Sequence, residues 1–129
     1  MKDILISVII PVYNAGRTLA ATVSSVLSQD FDSFELILVN DGSKDDSGAL
    51  CDRLAMSDDR IRVIHKSNGG VSSARNAGLE AACGRYVMFM DADDMLKQGA
   101  LSLMYADDAD FVVAGFEKVA NAMMAYGIV

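Results

Sequence analysis

The sequence contains little proline, histidine or cysteine. The single proline and the hydrophobic content of 52% exclude a disordered or low-complexity chain. Cys51 and Cys83 are far apart and belong to no CxxC pair or Cys/His cluster, so zinc and redox sites have no support and two free, mostly buried thiols are expected. His65, the only histidine, ends a predicted strand and is expected to be structural. Because it lies beside the candidate site described below, a catalytic role stays open.

Basic residues are also in the minority. Eleven Lys and Arg against 18 Asp and Glu give a net charge of −7, which excludes nucleic acid as a partner. The longest apolar stretch is about half of what a membrane span needs, and the first residues do not read as a secretory signal. No repeat or linker divides the sequence, so residues 1–129 are predicted to form one domain of a cytoplasmic protein.

Strand and helix patterns alternate along most of the chain. Near-continuous Ile, Leu and Val runs predict buried strands over residues 4–12, 34–39, 61–64 and 86–90. Apolar residues at helical spacing lie between them: Leu19, Val23, Val26 and Leu27, then Ala49, Leu50, Leu54 and Ala55, then Val71, Ala74, Ala77 and Ala81. This alternation predicts an α/β fold with a mostly parallel sheet flanked by helices, which binds ligands at the carboxyl ends of its strands.

Three carboxylates follow the fourth predicted strand. Asp91, Asp93 and Asp94 repel one another unless a cation lies among them, and carboxylate oxygens suit Mg²⁺ or Mn²⁺, whose remaining ligands are often water and phosphate oxygens. The alternative is that Asp93 or Asp94 caps a helix beginning near Leu96. Spacing alone favours the cap over the metal site.

Other charged residues near the predicted strand ends have two interpretations each. Asp41 could bond its own backbone in an ordinary Asp-Gly-Ser turn, or accept a hydrogen bond from the imide of a uracil or thymine ring. Arg75, one turn into the third helix, could face an anion or pair with a neighbouring glutamate. Arg17 and Lys97 are expected to be solvated. Neither GxGxxG nor GxxxxGK[ST] occurs, so neither a dinucleotide fold nor a P-loop is indicated.

Four segments in this order resemble family 2 glycosyltransferases. They are Val8-Ile9-Ile10-Pro11-Val12-Tyr13-Asn14, Leu38-Val39-Asn40-Asp41-Gly42-Ser43, Asn68 to Gly78, and Phe89-Met90-Asp91-Ala92-Asp93-Asp94, within a similarity that runs from about Ile4 to Phe116. The resemblance implies a Rossmann-like GT-A fold that binds a nucleoside-diphosphate sugar and Mn²⁺ or Mg²⁺. It also implies transfer of the sugar, usually with inversion, to an acceptor hydroxyl.

The resemblance assigns roles position by position. Pro11, Val12 and Tyr13 would line the base pocket and Asp41 would bind the base, a uracil by family frequency. Arg75 would approach the phosphates, Asp91 the ribose or sugar, and Asp93 the metal, with Asp94 in support. The expected nucleotide-sugar-binding set is Pro11, Val12, Tyr13, Asn14, Asp41, Asn68, Arg75, Asp91 and Ala92, and the expected metal ligands are Asp93 and Asp91.

The chain departs from the family at its C-terminal side, where the second half with the catalytic base and acceptor site is expected to be missing. Spacing favours none of Glu117, Asp107, Asp108 and Asp110 as the base, and residues 121–129 have no counterpart in the resemblance. Two functions therefore stay open. One is a transferase that acts on a glycan or lipid-linked acceptor in cell-surface polymer synthesis, which in some relatives takes place at the inner face of a membrane. The other is a non-catalytic nucleotide-sugar-binding module. An incomplete domain exposes apolar surface, so self-association into a homo-oligomer is expected.

Overall fold

Four parallel strands form the main sheet. The structure, a computed structural model, describes residues 3–102 in full and residues 114–119 and 122–128 by their backbone. The sheet order is β3-β2-β1-β4, and every neighbouring pair is parallel. The α/β class and the existence of all four strands are confirmed. The strands are β1 (Ile6–Val12), β2 (Phe34–Asp41), β3 (Ile61–Lys66) and β4 (Tyr86–Phe89), and each differs from its predicted bounds by one or two residues at one end.

Helices cover both faces of this sheet because its strands carry apolar side chains on both. The helices that flank it are α1 (Leu19–Leu27), α2 (Ser47–Ser57) and α3 (Val71–Ala81). Even-numbered residues of β1 pack in one core with the predicted apolar face of α1, whereas Ile9 packs with Ala74 of α3 in a second core. A Cβ atom at Gly78 would lie 2.5 Å from Cγ2 of Ile9, so α3 approaches the sheet closely only because this residue is glycine.

Pro11 lies at a place in β1 that tolerates the loss of an N–H group. Met90 N donates to Ile9 O, and β4 ends at Phe89, whereas β2 pairs with β1 as far as Val12. Pro11, two residues beyond Ile9, therefore lies past the end of β4, so its missing N–H group leaves no β4 carbonyl without a partner. The end of β1 is thus free to line a cleft.

A second sheet follows the acidic cluster. It contains β5 (Asp94–Leu96), β6 (Ala114–Val119) and β7 (Ala122–Ile128) in the order β5-β7-β6, with β5 and β7 parallel. The predicted helix near Leu96 is therefore wrong, since helical residues begin only at Ala100. The Asp94 carboxylate instead accepts Asp91 N at 2.8 Å, back along the chain. Most of the segment that the resemblance left unassigned is β7.

Three burial predictions are also wrong. Cys51 is buried as expected, but Cys83 is exposed because it follows α3 at the surface. Ala49 is exposed, and Ser47 and Cys51 supply the buried face of α2. Val71 is 50% exposed, because the first turn of α3 lies beside the cleft rather than on the sheet. Among the residues that the structure describes, no helix is long and apolar enough to cross a membrane.

Candidate functional site

A cleft of about 690 Å³ opens at the carboxyl ends of the parallel strands. It brings together residues from four separate chain segments, as expected for an open α/β sheet. Eight of the nine predicted nucleotide-sugar-binding residues line it together with the predicted metal ligand Asp93: Pro11, Val12, Tyr13, Asn14, Asp41, Asn68, Asp91 and Ala92. Arg75 does not line the cleft but forms an ion pair with Asp91, which does.

Asp41 ends β2 and is held by the turn before α3. Its Oδ1 accepts Gly69 N at 2.9 Å and Lys66 Nζ at 3.0 Å, and its Oδ2 accepts Gly70 N at 3.0 Å. Asn68 Nδ2 donates to the Asp41 carbonyl at 2.9 Å. The carboxylate therefore bonds a neighbouring turn, not its own backbone as the ordinary-turn alternative supposed. Asn68 is committed to the same junction.

These donors decide the charge of Asp41. Burial alone would raise the pKa of this carboxyl, but hydrogen bonds from Gly69, Lys66 and Gly70 outweigh burial and hold the pKa below its usual value. Only 4% of the side chain is exposed. The cleft thus contains a fixed, ionised acceptor with one flexible partner, the Lys66 side chain.

Residues 91–94, here called the acidic loop, form a tight turn on the other side of the cleft. Oxygen atoms of Asp91, Asp93 and Asp94 lie within 4.8 Å of one another. Asp94 N donates to Asp91 O at 3.0 Å, which closes the turn. Asp91 and Asp93 are exposed, whereas Asp94 is buried.

Asp94 is the least well satisfied member of this cluster. Burial raises the pKa of its carboxyl, and the charges of Asp91 and Asp93 raise it further, against one hydrogen bond from Asp91 N that lowers it. Its Oδ1 is buried without a hydrogen-bond partner among the described residues. An acceptor of this kind, beside two exposed carboxylates, fits a site that is completed by a cation.

Arg75 forms an ion pair with the acidic loop. Its Nη2 lies 3.6 Å from Asp91 Oδ1, and its guanidinium carbon lies 5.9 Å from the centre of the Phe89 ring. The alternative pairing with a neighbouring glutamate is therefore not what the structure contains. With 42% of its side chain exposed, Arg75 can still turn towards an anion in the cleft.

Tyr13 and Asn14 form the turn that follows β1. Tyr13 is 46% exposed and presents an aromatic surface to the cleft. Asn14 has a φ of 50°, a conformation that asparagine tolerates better than most residues. Its N–H donates to Ser43 Oγ at 3.0 Å and its Oδ1 accepts Lys44 N at 2.8 Å. Asn14 thereby ties the β1 turn to the β2 turn.

His65 lies outside the cleft and joins three elements. Its Nδ1 is 3.0 Å from Asn40 Nδ2, and its Nε2 is 2.9 Å from Asp52 Oδ1. Because the amide donates to Nδ1, the proton of the neutral ring lies on Nε2 and is donated to Asp52. The structural role predicted for His65 agrees with these contacts.

Several cleft residues have no binding role in the sequence-based prediction. Arg17 is predicted to be merely solvated, yet it lines the cleft, exposed and without an ion pair among the described residues. Its position between β1 and α1, at the carboxyl end of a parallel strand, is the signal that could have found it. Ala15, Thr18, Gly70 and Val71 line the cleft as well.

Known proteins are similar to this chain in sequence and fold. The sequence pattern of glycosyl transferase family 2 matches residues 7–122. Glycosyltransferase GlyG of Streptococcus pneumoniae is 41% identical over 117 residues, which is 87% of this chain and 39% of that protein. The crystal structure of S. aureus TarS 1-349 with UDP-GlcNAc superimposes with a TM-score of 0.74 at 30% identity, over 80% of this chain and 30% of that one.

A more distant structure shows the same fold. The mannosyltransferase PcManGT of Pyrobaculum calidifontis, solved with GDP-Man and Mn²⁺, gives a TM-score of 0.71 at 23% identity, over 75% of this chain and 30% of that one. The expected GT-A fold is confirmed. This chain spans 39% or less of the length of these relatives. It belongs to glycosyl transferase family 2.

Proposed function

We propose that the cleft binds a nucleoside-diphosphate sugar with a divalent metal, as the donor-binding domain of a glycosyltransferase. The observation that carries this proposal is the sharing of one cleft by Asp41 and the exposed pair Asp91 and Asp93. A ligand that spans them needs a hydrogen-bond donor at one end and a metal-chelating anion at the other. A nucleoside diphosphate has both.

The base would occupy the Asp41 side of the cleft. The imide N–H of uracil would donate to the ionised Asp41 carboxylate and take the place of Lys66 Nζ, which among its described partners is the one at the end of a long, flexible side chain. Pro11 and the exposed ring of Tyr13 offer an apolar wall for the base, whereas Val12 between them is buried in the core. The UDP-GlcNAc complex of TarS, at 30% identity, supports a uridine donor.

The diphosphate would lie over the acidic loop. Asp93 and Asp91 would hold Mn²⁺ or Mg²⁺, since both are exposed oxygen ligands next to the unpartnered Oδ1 of Asp94. A bound metal ion would neutralise the charge that develops on the departing diphosphate. Arg75, now paired with Asp91, would then be free to approach the phosphates.

The proposed reaction is a direct displacement. The acceptor hydroxyl oxygen bonds to the anomeric carbon, the bond from that carbon to the diphosphate oxygen breaks, and a base takes the hydroxyl proton. This step inverts the anomeric centre and needs no protein nucleophile. The candidate bases Asp107, Asp108, Asp110 and Glu117 lie outside the residues whose side chains the structure describes.

The acceptor side of the proposal rests on the family alone. We propose a glycan or lipid-linked acceptor in cell-surface polysaccharide synthesis, on the cytoplasmic side. The chain spans 39% of GlyG, so the acceptor site and the base would come from the part of such a protein that lies outside the matched region. The alternative is a module that binds the donor without transferring it.

Nucleotide binding and turnover separate these two functions. Calorimetric titration with UDP, GDP and dTDP, each with Mn²⁺ and after chelation, measures the donor site and its base preference. Release of UDP from UDP-GlcNAc, assayed on the same protein, measures turnover. Metal-dependent binding with turnover supports the enzyme, and metal-dependent binding without turnover supports the binding module. No metal-dependent binding of any of the three nucleotides contradicts both.

A further inference from the structure

Helix α1 carries a polar stripe beside its apolar one. Thr18, Thr22, Ser25 and Gln29 follow each other at intervals of four, three and four residues, so they share one side of the helix and its ends. Thr22 is 1% exposed, Ser25 9% and Gln29 5%. Buried polar side chains are costly unless they find partners. Each of the four bonds the backbone of one segment, residues 92–101.

The stripe bonds the backbone of that segment in order. Thr18 Oγ1 and Thr22 Oγ1 both donate to the Ala92 carbonyl, at 2.9 and 2.8 Å. Ser25 Oγ accepts Leu96 N at 3.0 Å. Further along, Gln29 Nε2 donates to Lys97 O at 3.0 Å, and its Oε1 accepts Leu101 N at 3.4 Å.

The two threonines hydrogen-bond the backbone of the acidic loop between its two exposed carboxylates. Ala92 lies between Asp91 and Asp93, and two donors use both lone pairs of its carbonyl oxygen. Asp91 and Asp93 are themselves exposed, and the ion pair that their side chains form among the described residues is the 3.6 Å contact of Asp91 with Arg75. The positions of these carboxylates therefore depend on the loop backbone, which is hydrogen-bonded to Thr18 and Thr22.

We propose that Thr22 and Thr18 are positioning residues for the metal-binding carboxylates of the acidic loop. The inference rests on the proposed function, because it presupposes metal binding by Asp91 and Asp93. Groups that orient metal ligands from behind typically change metal affinity by about 10–100-fold when removed. The hydroxyls of Thr18 and Thr22 would do this through the Ala92 carbonyl without touching the metal.

The test is Mn²⁺ affinity, measured from the electron paramagnetic resonance signal of the free ion without nucleotide. Thr22→Val keeps the side-chain shape and removes one donor, so the dissociation constant for Mn²⁺ should rise about tenfold. Thr22→Ser keeps the hydroxyl and should bind Mn²⁺ like the wild type. Thr18→Val, at a less buried position, removes the other donor and should shift the affinity the same way if Thr22→Val does not fold.

Ser7→Ala is the matched control, because it also deletes a fully buried, hydrogen-bonded hydroxyl, but one that lies near the start of β1 and donates to the Glu35 carboxylate. It should leave Mn²⁺ affinity unchanged. Folded Thr22→Val or Thr18→Val with wild-type Mn²⁺ affinity would overturn the inference, as would an equal loss in Ser7→Ala. Failure of the wild type to bind Mn²⁺ would instead overturn the metal site of the proposed function, and the inference with it.

Discussion

The carboxylate of Asp41 lies 3.0 Å from the ammonium nitrogen of Lys66 at the carboxyl edge of the sheet. The remaining partners of that carboxylate are backbone amides and the Asn68 side chain, none of which can withdraw as a lysine can. Lys66 therefore donates to the same carboxylate oxygen that a base imide would need as its acceptor. If the cleft binds a base as proposed, base recognition would exchange the Lys66 donor for the imide donor of the base.

This exchange predicts a preference for UDP over CDP. Cytosine has no proton on N3 and would set an acceptor against the ionised Asp41 carboxylate, so the wild type should bind UDP about tenfold or more tightly than CDP. Asp41→Asn presents an amide that can donate or accept, and the preference should shrink. Calorimetry with both nucleotides measures it, and unchanged Mn²⁺ affinity in the variant is the internal control. Equal binding of UDP and CDP by the wild type would contradict the role given to Asp41.

Arg17 is expected to contact the diphosphate. It is exposed on the cleft wall without an ion pair among the described residues, so its contribution should be modest. Arg17→Ala should weaken UDP binding about two- to fivefold and leave uridine binding unchanged. Arg53→Ala, which removes an exposed arginine from α2, is the matched control. A loss of UDP affinity in both variants would point to net charge rather than to a phosphate contact.

Much of the fold follows from the sequence because its signals are local. The runs of Ile, Leu and Val around Val8 and Leu36 are long enough to require strands buried on both faces, and all four predicted strands exist. Asp94 marks where local reasoning failed. Aspartate before an apolar residue resembles a helix cap, but this carboxylate turns back to Asp91 N, a choice that depends on the surrounding turn.

Gly78 tests the packing of α3 on the sheet. Alanine normally favours a helix, but a Cβ atom here would lie 2.5 Å from the branched Ile9 side chain. Gly78→Ala should therefore lower the free energy of unfolding by about 1–3 kcal/mol, measured by urea denaturation. Ser72→Ala, at an exposed position of the same helix, should change it by about 0.5 kcal/mol or less. Stabilisation by Gly78→Ala would mean that α3 lies further from Ile9.

Glu35 should make the protein sensitive to acid. Burial alone would raise the pKa of this carboxyl, but hydrogen bonds from Cys83 N, Ser7 Oγ and Arg62 outweigh burial, and the pKa lies below its ordinary value of 4.5. A lowered folded-state pKa stabilises the native state above the unfolded-state pKa, and this contribution is lost as pH falls through the folded-state value.

Glu35→Gln should accordingly lower the free energy of unfolding by about 1–3 kcal/mol near pH 7. The difference from the wild type should shrink as pH falls below 4.5, the pH at which an unperturbed glutamate is half protonated. Urea denaturation at several pH values measures both effects. Asp32→Asn is the control, since that carboxylate is 84% exposed and 3.6 Å from Arg60. A pH-independent difference for Glu35→Gln would contradict the assignment.

The candidate site was predictable in its membership but not in its internal bonding. Residues after parallel strands meet at one edge, so eight of nine expected nucleotide-sugar-binding residues line one cleft. The partners of Asp41 come from a turn that no spacing rule connects to it. The support from Thr22 to Ala92 also depends on how α1 lies against the acidic loop, and the sequence contains no signal for that arrangement.

The central claim, a metal-dependent donor site formed by the acidic loop, is tested most directly by titrating UDP into wild type and Asp93→Asn, with Mn²⁺ and after chelation. Asp59→Asn, which removes one exposed carboxylate at the opposite end of the sheet, is the matched control. We expect wild type and Asp59→Asn to bind UDP with Mn²⁺ and to lose that binding on chelation, whereas Asp93→Asn should show no metal-dependent binding. Equal UDP binding by wild type with and without metal, or by Asp93→Asn and wild type, would contradict the claim.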